Sequence, residues 1–316
     1  PSSTIVNATV IRSGKPLGGI NDMAGVFSRS SNNGGASLQN LEVSESPGPR
    51  IFVSKGSISG SNWHSHDNGA QGLSVSELFP YVDDLLLANN GLSGLRVYDS
   101  KQVWFSNLTT RSNGFSAPSP QTGTGMVFVK SNDLMAAGNV VQCVDGTSEN
   151  DNWGAIRVEN SVDLRFVDLT VRDPVLAAGQ SAIVMDDSNM NWQGWIEIEG
   201  AEIYTNTTTG TPAIQLDDVD MRINGMNIHG SNGGIDWTGR SLTSSLSNST
   251  LVGNNCLTIS DVPKLESWGL DLSGCSGNFA ISSSNVNLTD FVQGSVALVI
   301  TGSSYIRAIS SSVTIP

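Results

Sequence analysis

Short blocks of the form apolar–x–apolar recur along the chain, with first members Ile51, Leu73, Leu95, Met126, Ile156, Ile183, Ile214, Ile235, Leu257, Phe279 and Leu298. The intervals between them are 22, 22, 31, 30, 27, 31, 21, 22, 22 and 19 residues. Six of the ten lie between 19 and 22, and the other four are longer by the size of a loop insertion. Each block leads into Ser, Asp, Asn or Gly and then, in most repeats, into a second apolar run such as Val103-Trp104-Phe105, Leu164-Arg165-Phe166 or Met221-Arg222-Ile223. A helix would space its apolar residues three and four apart. These runs alternate with period two and predict strands with one face inward and one outward.

A unit of about 22 residues suits two or three short strands and their turns, which is one coil of a solenoid. Each strand then pairs with its equivalent one coil later. The pattern predicts an all-β chain folded as a parallel β-helix of about 11 or 12 coils, with residues 1–316 as one domain. A β-propeller would need blades of roughly 40 to 50 residues. Composition agrees: 34 Gly and only 14% charged residues disfavour helices and favour tight turns.

The ladder, from about Val26 to Ile315, resembles the right-handed parallel β-helix (pectin-lyase-like) superfamily, which includes pectate lyases, polygalacturonases, phage tailspikes and surface adhesins. The handedness is what the resemblance implies. The likeness is one of architecture.

Charge narrows the partners. The net charge of −13 repels phosphate backbones and argues against nucleic acid. No apolar run reaches the roughly 18 residues of a membrane span. The chain opens with Pro1 rather than Met and reads as a mature chain or a fragment of a larger surface protein. Five Asn-x-Thr sequons, at Asn7, Asn107, Asn206, Asn248 and Asn287, with no Asn-x-Ser, point to an extracellular or cell-surface glycoprotein. Of three cysteines, Cys256 and Cys275 are close enough in sequence for a disulfide, and buried thiols fit equally well.

The candidate chemistry lies on the outer faces of the coils. The residues just after the apolar blocks stack one coil above another, and three of them, Glu159, Asp186 and Asp217, form a column of carboxylates with Arg157 pointing the same way. Asp187 and Asp218 widen it. Stacked carboxylates repel, raise one another's pKa and suit a shared proton or a cation such as calcium. Spaced by one or two coils they also suit the acid pair of a glycosidase. Turn-flanking acids that face solvent give the same pattern. Polygalacturonases look similar in an Asp-Asp pair and a later His, which would map onto Asp217, Asp218 and His229; but His229 follows Ile228 rather than Gly, and half a coil separates it from the acids. Pectate lyases combine calcium-binding acids with an Arg, which Arg157 would supply.

Three weaker groupings complete the set. His64, His66 and Asp67 on an extended segment suit a metal ion. Residues 145–152 form an acidic stretch without the spacing of an EF-hand. Trp192 and Trp195 flank an insertion and suit stacking on sugar rings. Two functional classes follow. One is a structural or adhesive surface module, with a copy of itself or a neighbouring chain covering the β-helix ends. The other is a polysaccharide lyase or glycoside hydrolase working along the carboxylate column.

Overall fold

The computed structural model describes residues 3–11, 26–29, 35–46, 51–100, 103–129, 141–144, 147–161, 164–186, 195–205, 211–230, 234–239, 244–302 and 304–309. The chain is all-β and folds as a parallel β-solenoid of about 10 turns, the stacked-coil architecture expected from the ladder. The turn count is slightly below the 11 or 12 coils expected from the sequence. The single helical element among the described residues is one turn, Pro120–Gly123. Two compact units divide the chain, Pro1–Leu164 and Arg165–Pro316.

In the first unit the leading strands stack in register, with Val26, Ile51, Leu73, Leu95, Met126 and Ile156 opposite one another in turn. In the second unit the equivalent column is Ile183, Ile214, Ile235, Leu257, Phe279 and Leu298. These columns reproduce the blocks residue for residue. Ile51, Leu73, Leu95, Met126, Ile156, Ile183, Ile214, Ile235, Leu257 and Phe279 are fully buried. A one-residue slip would turn all of them out to water, so the register is strongly determined. These strands form the first face of each coil. A second and a third face follow along the chain.

The corner between the second and third faces is where Asn and Gly matter. In the first unit Asn7, Asn40, Asn62, Asp84 and Asn107 occupy it, all with φ between 49° and 57°. Asn and Asp tolerate this left-handed conformation better than other side chains bearing a Cβ. Their amides also bond along the column: Asn40 Nδ2 donates to Asn7 Oδ1 at 2.6 Å and Asn62 Nδ2 to Asn40 Oδ1 at 3.0 Å. In the second unit Asp168, Gly200, Gly225, Asn248, Gly269 and Asp290 hold the same conformation.

A buried polar column lies inside the first unit. Asn90 Nδ2 donates to Asn113 Oδ1 at 2.8 Å, and Asn113 Nδ2 donates to Asp151 Oδ1 at 2.8 Å. Asp151 is wholly buried and also accepts from the Asn113 backbone N–H and from the hydroxyls of Thr110 and Ser148. Burial raises its pKa and these four hydrogen bonds oppose the rise. Nearby, Trp63 fills the core and donates its indole N–H to the Leu38 carbonyl at 2.8 Å. It fits because Gly60 has no side chain: a Cβ there would meet the Trp63 indole at 2.5 Å.

In the second unit Cys256 and Cys275 are joined by a disulfide, with Cα atoms 6.0 Å apart and a sequence separation of 19. Both are buried. The bridge closes nearly one coil upon itself.

Candidate functional site

The strands of the second unit's first face set the geometry of the acids. In Ile183–Asp186, Ile214–Asp217 and Ile235–Thr238 the first and third residues are buried, and the second and fourth face outward. Asp186 lies directly opposite Asp217, and Asp217 opposite Thr238. Adjacent coils are about 4.8 Å apart, so Asp186 and Asp217 are lateral neighbours. The same pairing puts Asp236 opposite Gln215. Asp236 is therefore one coil across and two residues along from Asp217, about 8 Å away. Asp218 follows Asp217 at the next corner, with φ 54°.

This environment changes proton affinity. Burial lifts the Asp217 carboxyl above the ordinary aspartate value, and the charges of Asp186, Asp218 and Asp236 lift it further. Burial also lifts Asp236, opposed by a 3.4 Å hydrogen bond from the Thr238 hydroxyl. Beside Asp236 runs a groove of about 250 Å³ whose lining includes Pro212, Asn254, Asn255, Thr258 and Asn278.

Asp236 is the residue that sequence reasoning passed over. The signal was present, because Ile235-Asp236-Trp237 is one of the apolar–x–apolar blocks and its middle position faces outward. The carboxylate column read from the sequence runs through the position after each block, two residues along from Asp236.

The other candidates are distributed elsewhere. Glu159 belongs to the first unit, where it accepts a hydrogen bond of 2.5 Å from Arg157 Nε. That ion pair occupies the guanidinium that a lyase reading requires. His229 lies on the third face, stacked on Tyr204 with centroids 4.7 Å apart and bonded to Glu202 Oε2 at 3.0 Å. The polygalacturonase pattern is thus not assembled: its acids and its His stand on different faces.

His64 and His66 share the outer side of the strand Ile51–Asn68, but the two imidazoles and Asp67 do not form a ligand set. His66 Nδ1 bonds to Asp67 Oδ2 at 2.7 Å and its Nε2 to Glu42 Oε1 at 3.4 Å, so both ring nitrogens are engaged. Among the described residues no group of three or more His, Cys, Asp or Glu side chains is arranged to hold a metal ion. In the acidic stretch, Asp151 points into the core and Glu149 pairs with Arg111 at 2.9 Å. Trp195 is exposed, and the Arg222 guanidinium sits 3.4 Å from its ring centroid, which covers one of its two faces. Trp192 lies outside the described residues.

Of the sequons, Asn7, Asn107 and Asn248 all fall on the left-handed corner. There Asn is followed by a core residue and then by an outward one, so the fold itself calls for Asn–x–Thr-like triplets. Asn7, Asn107 and Asn248 are exposed, whereas Asn287 is half-buried and donates to Glu266 Oε2 at 2.7 Å. Asn206 lies outside the described residues.

No protein-family model and no curated protein matches the chain. Among solved structures, two catalytic domains are similar to the chain. One, the catalytic domain of a GH87 alpha-1,3-glucanase in complex with tetrasaccharides, is 12% identical with a TM-score of 0.42 over 98% of this chain. The other, the same kind of catalytic domain in complex with nigerose, is 13% identical with a TM-score of 0.34 over 96% of this chain. The chain spans 64% and 56% of the length of these two domains. Likeness at this distance does not extend to site residues. Among the described residues no helix is long and apolar enough to cross a membrane.

Proposed function

We propose that the first face of the second unit is the active site of a glycoside hydrolase acting on a polysaccharide with inversion. The observation that carries this reading is the Asp217–Asp236 pair. Inverting glycosidases hold their acid and base roughly 6.5 to 9.5 Å apart, which leaves room for a water molecule on the far side of the sugar. Strand geometry puts the Cα positions of the pair about 8 Å apart with both side chains outward, a backbone spacing that suits carboxyl groups in that range.

Asp217, whose proton is held by burial and by the charges of three neighbouring acids, serves as the general acid toward the glycosidic oxygen. Asp236, whose carboxyl pKa is raised by burial against the opposing hydrogen bond of the Thr238 hydroxyl, takes the proton of the attacking water. Water adds to the anomeric carbon as the bond to the leaving oxygen breaks. Asp186, beside Asp217, adds to the negative field that holds the proton there. The groove at Asp236 supplies a place for the glycan.

The test is release of reducing ends from a polysaccharide panel by the whole chain. Asp217→Asn and Asp236→Asn should each lower the rate by about 10²- to 10⁴-fold, the usual worth of a positioned acid or base. Full activity in both variants overturns the assignment. A folded wild-type chain that releases nothing from any member leaves the structural or adhesive role as the reading to pursue.

A further inference from the structure

We infer that the groove beside Asp236 is a subsite for an uncharged, hydroxyl-rich sugar, so that the glycan handled by this site is neutral rather than a uronate. The inference rests on the hydrolase reading and names its substrate class. The groove crosses three coils, because Asp236, Thr258 and Ala280 stand in one register column. That is about 10 Å along the solenoid, so a glycan would run parallel to its axis.

The wall is chemically of one kind. Asn254, Asn255 and Asn278 carry amides, and Thr258 carries a hydroxyl. Amides and hydroxyls both donate and accept, which is what sugar hydroxyls require. Asn255 Oδ1 accepts the Asn278 backbone N–H at 3.1 Å, which fixes the amide and leaves its NH₂ group to donate. Pro212 and Ala280 offer apolar surface to the C–H face of a ring.

Charge decides between neutral and acidic sugars. The outward first-face positions of the second unit are Val184, Asp186, Gln215, Asp217, Asp236, Thr238, Thr258, Ser260, Ala280 and Ser282. All are neutral or acidic. The cations described in this unit face other ways: Arg165 and Arg222 pair with Glu197 and Glu199 on the second face, Arg307 stands in register with Asn287 on that same face, and on the third face Arg172 lies over Tyr204 and His229 is bonded to Glu202. Lys264 is bonded to Glu266 at 3.3 Å. A uronate carboxylate in the groove would face Asp236 with no cation among these to meet it.

The probe is a set of neutral hexasaccharides (gluco-, manno-, galacto- and xylo-) alongside hexagalacturonate, titrated calorimetrically into Asp217→Asn. At least one neutral member should bind saturably, and hexagalacturonate at least about tenfold more weakly. Thr258→Trp, folded by circular dichroism, should weaken the neutral ligand by about tenfold or more, and Thr258→Arg should narrow the gap to hexagalacturonate. Tighter binding of hexagalacturonate than of every neutral member overturns the inference, as does neutral binding that ignores both groove variants. Hydrolysis of hexagalacturonate by the wild type would overturn the substrate class and leave the hydrolase standing. Neutral binding in the groove without any hydrolysis would do the reverse.

Discussion

Breaking the Cys256–Cys275 bridge should weaken the second unit by about 3 kcal/mol. The disulfide closes a loop of 19 residues. In the chain-entropy treatment, a cross-link over about 20 residues removes roughly 11 cal/mol/K from the unfolded ensemble, which is about 3 kcal/mol at 25 °C. The loop contains the strands Leu257–Ser260 and Leu265–Trp268, so reduction loosens one coil. In a solenoid each coil is held only by its neighbours, and loss at one coil spreads to those stacked on it. The assay is urea unfolding of the wild type and of a Cys256→Ala/Cys275→Ala variant, with thiol titration of the denatured, unreduced protein alongside. The titration should find one thiol, that of Cys143. The variant's midpoint should fall by the equivalent of about 3 kcal/mol. An unchanged midpoint in the double variant, or three titratable thiols in the wild type, would refute the reasoning.

Asp151→Asn should alter the pH dependence of stability. The folded-state pKa of Asp151 is raised, so its favourable contribution is complete below the ordinary aspartate value and is lost as pH rises through the raised value. Relative to Asp151→Asn, the wild type should therefore lose stability from mild acid toward neutrality, and parallel melting-temperature curves across that window would contradict this. Gly60→Ala forces a methyl group against the Trp63 indole and the Leu38 carbonyl and should cost about 1 to 3 kcal/mol in urea unfolding. Under the hydrolase reading, the alkaline fall in activity follows loss of the Asp217 proton, so it should lie above the ordinary aspartate range. Asp186→Asn removes one of the charges that lift Asp217 and should move that limb to lower pH; a limb that stays in place would remove Asp186 from the account.

The fold was legible in the sequence because a solenoid repeats one local rule. Each apolar–x–apolar block had to occupy the same place in its coil, and in each unit the observed register pairs their first members without a slip. The candidate site was legible only in part. Asp186 and Asp217 were found because they follow their blocks, whereas Asp236 occupies the middle of its own block. Which residues turn inward at an irregular corner does not follow from period two. Asp151 shows this: within an acidic stretch it reads as a surface ligand, yet it ends a buried amide column. The sequons have a second, structural source. A left-handed corner selects Asn, and the strand after it favours Thr, so the glycosylation motif and the corner share a spelling.

The stereochemistry of the product tests the central claim most directly. Proton NMR of the first sugar released from a neutral glycan reports its anomeric configuration before mutarotation scrambles it. An acid pair on backbone positions about 8 Å apart, in the roles assigned here, predicts inversion. A product that retains the configuration of the substrate would require a closer pair, and would contradict the roles given to Asp217 and Asp236.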